Sequence, residues 1–223
     1  MGYFGSKGGA GVFQAIIAVM PPHDIYIESH LGGGAIMKNK PRAAVSIGCD
    51  INSLVVKNFG DDVFFKMVCG DARSFIDDFD YAGSRVLIYA DPPYLHSTRS
   101  TLKRYTFDYS ISDHLALIHS LKGAVDKGAL VILSGYPSRL YDELLPGWRS
   151  IEIQAMTRGG PRTEKIWLSF PAGLVQSAKY AGKNALDRQR IKRKASRWKD
   201  NFSRLPPGER LAILSALLEF QEE

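Results

Sequence analysis

The chain has 223 residues, 45% hydrophobic and 23% charged, with a net charge of +6. That suits one α/β domain with a short appendage and excludes disordered, collagen-like or two-large-domain chains. No run approaches the roughly 20 apolar residues that span a bilayer. The N-terminus lacks a basic-then-apolar secretion signal, so a cytoplasmic location is expected. Cys49 and Cys69 sit in apolar strand-like runs. They read as reduced core residues, not as a disulfide or a zinc site.

Short apolar runs alternate with helical stretches, the pattern of a mostly parallel α/β sheet. In chain order the sequence predicts a helix over Gly11–Met20, a strand over Asp24–Glu28, a helix over Ala35–Lys40 and a strand over Ala43–Cys49. A helix over Asn52–Asn58 and strands over Val63–Cys69 and Arg85–Ala90 follow. Next come a helix over Ser112–Lys127 with Leu115, Leu117, Ile118 and Leu121 on one face, a strand over Leu130–Ser134 and a helix over Ser138–Leu144. Ser150–Ala155 and Lys165–Phe170 read as an antiparallel hairpin, and Pro171 closes the sheet domain, residues 1–171. Residues 172–223 read as a basic helical extension. Pro206-Pro207-Gly208 starts a last helix over Glu209–Phe220, whose Leu211, Leu214, Leu217 and Leu218 are expected to face a core and pack partly on the domain.

The charge is unevenly spread. Between Lys179 and Asp200 lie nine basic residues, among them Lys192, Arg193, Lys194 and Arg197, against two acids, Asp187 and Asp200. That segment holds the whole positive excess. A one-sided basic run reads as a phosphate-binding arm, the plainer alternative being a solvated helix face.

Four predicted strands end in an acid or reach one within two residues. Glu28 closes the first and opens the glycine-rich turn Glu28-Ser-His-Leu-Gly-Gly-Gly-Ala35. Neither dinucleotide-binding nor phosphate-cradling glycine spacing is present, which argues against a dehydrogenase. An acid there repels phosphates and suits a cationic or hydroxyl-bearing ligand. Asp50 is placed to accept both hydroxyls of a ribose, and Asp71 could take an adenine amino group. Ala90-Asp91-Pro92-Pro93-Tyr94 fixes a carboxylate, carbonyls not drawn into a helix and an aromatic ring at a strand's carboxyl end. That sheet edge is where α/β folds bind ligands. A planar amine could donate to Asp91 and a proline carbonyl while its ring stacks on Tyr94.

With these motifs the chain resembles the DNA adenine N6-methyltransferases of the Dam type. Tyr3-Phe-Gly-Ser-Lys7 is similar to their N-terminal aromatic-x-Gly-Gly-Lys motif, Glu28–Ala35 to their cofactor loop, Asp50-Ile-Asn to the ribose motif and Asp91-Pro-Pro-Tyr94 to the catalytic motif. The resemblance runs from residue 3 to about 170. It implies a Rossmann-like methyltransferase sheet and S-adenosylmethionine as methyl donor, held by Tyr3, Gly5, Ser6, Lys7, Glu28, His30, Leu31, Gly32, Gly34, Asp50, Ile51, Asp71, Ala72 and Asp91. It also implies in-line transfer to adenine N6 without a metal. Asp91 and the Pro92 carbonyl would accept the amine's N–H bonds, each worth on the order of 2.7–4 kcal/mol. Pro93 would stiffen the turn, and Tyr94 would stack the base for roughly 1–3 kcal/mol. DNA is the implied partner, with the adenine flipped out of a duplex. Arg99, Lys103, Arg104 and Tyr105 with Phe107 and Tyr109, and the hairpin residues Arg158 and Arg162, are candidate nucleic-acid contacts.

The sequence departs from the family pattern in two places. Ser29-His30 replaces Pro-Phe, so His30 must supply the flat face against the donor. The large target-recognition insertion between the ribose and catalytic strands is missing, which points to low or very short sequence specificity. An RNA base-amino methyltransferase and an inactive methyltransferase-like nucleic-acid-binding protein are the alternatives. A protein-glutamine methyltransferase fits less well, because its motif opens with Asn.

Overall fold

The computed structural model describes residues 7, 11–59, 64–98, 107–157, 160–173 and 175–219. The chain forms two compact units, Met1–Tyr180 and Ala181–Glu223. In the first, helix α1 (Val12–Ile17) is followed by β1 (Ile25–Glu28), α2 (Ala35–Asn39), β2 (Val45–Asp50), α3 (Ser53–Phe59), β3 (Phe65–Cys69) and α4 (Ala72–Asp78). Then come β4 (Val86–Ala90), α5 (Ile111–Asp126), β5 (Leu130–Gly135), α6 (Arg139–Leu144) and the hairpin strands β6 (Arg149–Thr157) and β7 (Gly160–Leu168).

The seven strands form one sheet in the order β3-β2-β1-β4-β5-β7-β6. The first five are parallel, while β7 runs antiparallel to both β5 and β6. This mixed sheet is the one the sequence predicts. Its centre is apolar on both faces because helices cover both sides, as parallel sheets require. Along β4 the side chains alternate: Val86, Ile88 and Ala90 join one core with Leu117, Ile118 and Leu121 of α5, while Leu87 and Tyr89 join the other with Ile16, Ile17 and Ile36.

Several local expectations need correction. Cys49 is buried, but Cys69 is exposed because edge strand β3 is covered less completely. Helix α5 starts at Ile111, since Ser110 accepts the Asp113 N–H and the Asp113 carboxylate accepts the Ser110 N–H, a capping box. Leu115 lies off its apolar face, 43% exposed. Helix α4, absent from the predicted elements, is capped by Asp71, whose side chain accepts from the N–H groups of Arg73 and Ser74.

Residues after β7 remain with the first unit: Gln176 N donates to Met20 O at 2.7 Å, and Tyr180 packs edge-on against Phe13. The second unit holds α7 (Ala185–Ser203) and α8 (Pro207–Glu219). Neither has a buried residue. Leu211, Leu214, Leu217 and Leu218 are exposed, so within this unit α7 does not cover the apolar stripe of α8. Among the described residues no helix is long and apolar enough to cross a membrane.

Candidate active site

Strand order reverses between β1 and β4, and ligands of open α/β sheets bind in the crevice outside the carboxyl ends of such strands. A cavity of about 260 Å³ opens there. Its wall includes Lys7, Glu28, His30, Leu31, Gly32, Gly34, Asp50, Ile51, Asp71, Ala72, Asp91, Pro92, Pro93 and Tyr94, residues that lie far apart in sequence. Tyr3, Gly5 and Ser6 lie outside the described residues.

The glycine-rich turn is built by neighbouring strands. Leu31 N donates to Cys49 O and Gly32 N donates to Asp50 Oδ2, each at 2.9 Å, tying the turn to the end of β2. Gly34 caps α2 in the left-handed region, with φ +58°. A Cβ there would lie 2.2 Å from the Phe59 ring, so both backbone and packing require glycine.

Glu28, 3% exposed, accepts from Tyr26 OH at 3.0 Å and from Met37 N in the first turn of α2 at 2.9 Å. Burial, opposed by those two hydrogen bonds, pushes its carboxyl up to about 8. His30 hydrogen-bonds Ser29 Oγ through Nδ1 and Tyr109 OH through Nε2, each at 3.0 Å. Burial lowers its pKa to about 4 against the pull of Asp91, so the ring is neutral near pH 7. Its edge-on packing against Tyr109 fixes the ring at the cavity wall.

Asp50 accepts one backbone N–H at each oxygen, from Gly32 at Oδ2 and Asn52 at Oδ1. Each oxygen keeps a further acceptor site, the requirement for holding two vicinal hydroxyls. Beside it Ile51 is 49% exposed although it lines the cavity, leaving an apolar surface on which a flat ring can rest. Asp71 is more heavily used. Its Oδ1 accepts from Arg73 N, Ser74 N and Arg73 Nε, and its Oδ2 from Arg73 Nη2 at 3.2 Å. Burial raises its pKa, but these donors outweigh it and hold the carboxyl below its usual range. Arg73 Nη1 also donates to Asp113 at 3.1 Å, linking the starts of α4 and α5 at the rim.

The Asp91–Tyr94 turn begins where β4 ends. Asp91 Oδ1 accepts from Ser134 Oγ at 2.6 Å and lies 2.9 Å from Lys7 Nζ. Lys7 also pairs with Glu164 Oε2 of β7 at 3.1 Å, donates to Tyr94 OH and lies 4.5 Å from the centroid of the Tyr94 ring. Burial pulls the Lys7 pKa down, but Asp91 first, then Tyr89 and Glu164, outweigh it and hold the ammonium well above its ordinary value. Lys7 therefore contacts Asp91 and Tyr94 directly, in addition to lining the cavity. Tyr94 is buried, with its edge against Tyr136 at 4.5 Å.

Among the candidate nucleic-acid contacts, Arg162 donates to Tyr136 OH at 2.9 Å, so a cation is joined to Tyr94 through an aromatic pair. Phe107 is 44% exposed at the cavity, and Tyr109 is engaged with His30. Arg99, Lys103, Arg104, Tyr105 and Arg158 lie outside the described residues. Lys192, Arg193, Lys194 and Arg197 are exposed on α7 of the second unit. Sequence reasoning missed Ser134, Glu164 and Tyr136 around the Asp91–Tyr94 turn. Ser134 carried a signal, as a polar residue closing an apolar strand run beside the others.

Strand order and the strand-end cavity define an open, mostly parallel α/β sheet with a ligand crevice at its switch point. No protein-family model matches the chain, and no curated protein does. Among solved structures it is similar to a dimethyladenosine transferase from Plasmodium falciparum, at 14% identity and TM-score 0.44, over 70% of this chain and 60% of that one. It is also similar to the 23S rRNA methyltransferase ErmE, at 12% identity and TM-score 0.45, over 75% of this chain and 70% of that one. A conserved hypothetical protein from Streptococcus pyogenes matches at 10% identity and TM-score 0.48, over 74% of this chain and 98% of that one.

Proposed function

We propose that this chain is a DNA adenine methyltransferase, transferring a methyl group from S-adenosylmethionine to adenine N6. The observation that carries the reading is the meeting of Asp50, Glu28 and the Asp91–Tyr94 turn around one cavity at the sheet's switch point. The donor set fits a nucleoside sulfonium. Asp50 has acceptor capacity for ribose hydroxyls, Ile51 offers an apolar floor for a base, and Asp91 on the same wall would attract a cationic sulfur. When bound, S-adenosylmethionine supplies an activated methyl on sulfur.

The residues of the turn act on the acceptor. Asp91 and the Pro92 carbonyl accept the N–H bonds of the amino group, favouring a tetrahedral nitrogen whose lone pair is available to form the new N–C bond. The S–C bonding pair stays on sulfur, and the proton leaves nitrogen through the Asp91 carboxylate to water. Tyr94 and Tyr136 give the base an aromatic wall. Arg162 and the exposed basic residues of α7 suit phosphates, which position a nucleic acid without reading its sequence.

The test incubates purified protein and labelled donor with matched double-stranded DNA, single-stranded DNA and RNA, followed by nucleoside analysis. The expected product is N6-methyladenine in DNA. Label in RNA alone would move the acceptor to RNA, and label in neither would overturn methyl transfer to nucleic acid.

A further inference from the structure

Asp91 is held asymmetrically. Both of its recorded partners, Ser134 Oγ at 2.6 Å and Lys7 Nζ at 2.9 Å, meet the same oxygen, Oδ1. Ser134 is fully buried at the end of β5, and Tyr89 OH of β4 lies 3.1 Å from its hydroxyl. A serine hydroxyl has one proton, and here it points to Asp91. Tyr89 must then be the donor in its bond to Ser134, so the hydroxyls run one way, from Tyr89 through Ser134 to Asp91. Tyr89 and Ser134 sit on adjacent parallel strands and Asp91 directly follows β4, with Tyr89 paired to Ile132 and Ala90 to Leu133. The backbone therefore fixes the separation between β4 and β5 that the hydrogen bonds span.

We infer that Ser134, backed by Tyr89, is a positioning residue that locks the rotation of the Asp91 carboxylate, so that Oδ1 is held by the protein and Oδ2 is presented to the acceptor amine. This inference rests on the methyl-transfer reading. A carboxylate held at one oxygen cannot swing about its Cβ–Cγ bond, so the acceptor's N–H meets an oxygen already in place. Residues that orient metal ligands in the same way change activity about 10- to 100-fold when removed, and a comparable effect is expected here. Ser134 does not line the cavity, where the donor's proposed ribose and base positions lie at Asp50, Ile51 and Asp71.

The experiment compares wild type with Ser134→Ala, Ser134→Thr, Tyr89→Phe and the Ser134→Ala/Tyr89→Phe pair, measuring kcat, KM for nucleic acid and Kd for S-adenosylmethionine. Ser134→Ala is expected to lower kcat about 10- to 100-fold while donor Kd stays within about twofold. Ser134→Thr, which keeps the hydroxyl, is expected to recover most of the rate. Tyr89→Phe should fall between wild type and Ser134→Ala, and the double variant should be no slower than Ser134→Ala alone, because both act through one hydrogen bond. An active wild type whose Ser134→Ala form keeps kcat, or whose donor affinity falls in step with kcat, overturns the positioning role and leaves methyl transfer standing. If Ser134→Ala does not fold, a Tyr89→Phe form with wild-type kcat overturns it instead. A wild type that binds donor but methylates no nucleic acid overturns the underlying reading.

Discussion

Lys7 Nζ lies 2.9 Å from Asp91 Oδ1 and 3.1 Å from Glu164 Oε2, with the lysine side chain only 5% exposed. One ammonium thus separates two carboxylates that are themselves mostly buried. Lys7→Met would leave them facing each other without a counter-charge. Removing one member of a buried ion pair costs about 3–5 kcal/mol, and urea unfolding should show a loss of that size. Glu164→Gln in the Lys7→Met background should recover part of it. A Lys7→Met protein as stable as wild type would show that the triad is not coupled.

Glu28 gives the fold a pH dependence of its own. Burial lifts its folded-state pKa from 4.5 to about 8. A carboxyl with a raised pKa stabilises the fold below its unfolded value and loses that contribution as pH rises through the folded value. Glu28→Gln keeps an acceptor for Met37 N and Tyr26 OH but cannot ionise. Relative to wild type, it should become progressively more stable between pH 5 and pH 8, by an amount on the order of a few kcal/mol. Denaturant titrations at several pH values in that window would check this, and parallel stability curves would contradict it.

Asp91→Ala should abolish methyl transfer, lowering kcat by at least about 10²-fold, because it removes the acceptor for the amine. Calorimetric titration with S-adenosylmethionine should still show binding, since Asp50 and the glycine turn remain. Turnover near the wild-type rate in this variant would remove the mechanism.

Gly34→Ala combines a left-handed backbone with a Cβ 2.2 Å from Phe59. The conformation alone costs about 1–2 kcal/mol, and the collision adds to it. Phe59→Ala in the same chain should relieve the collision and leave the conformational part. Equal stability of the single and double variants, after allowing for Phe59→Ala alone, would show that Phe59 moves aside freely.

Replacing Lys192, Arg193, Lys194 and Arg197 together by Gln should weaken DNA binding uniformly across sequences. If all four meet phosphates, the log–log salt slope should drop by roughly 3–4, at about 0.9 per phosphate contact. Fluorescence anisotropy at stepped salt concentrations measures it. An unchanged slope would make α7 a solvated helix only. Between Asp50 and Asp91 lie only α3, β3 and α4 among the named elements, so methylation mapping of an unmethylated genome should find a short or relaxed target. A strict multi-base site would contradict that.

The frame of the site was legible because acids interrupt apolar runs. Glu28, Asp50 and Asp91 each mark a strand's end in the sequence itself, and parallel pairing brings those ends together. The partners of Asp91 were not legible. Ser134 and Glu164 reach the site through the β4–β5 and β5–β7 pairings, and no local pattern states which strands are neighbours. Helix α4 escaped because its apolar pattern is only Ala72, Phe75 and Ile76, and its clearest signal is the Asp71 cap, which was read as a ligand contact. For α8 the leucine spacing reported a stripe, but periodicity says which side is apolar and not what lies against it.

Glu28 sits opposite Tyr89 in the β1–β4 register. Because strand side chains alternate, a slip of one residue in that pairing would turn Glu28 away from α2 and break the alignment with the serine behind Asp91. The cavity therefore depends on this one register, which brings the ends of β1 and β4 side by side.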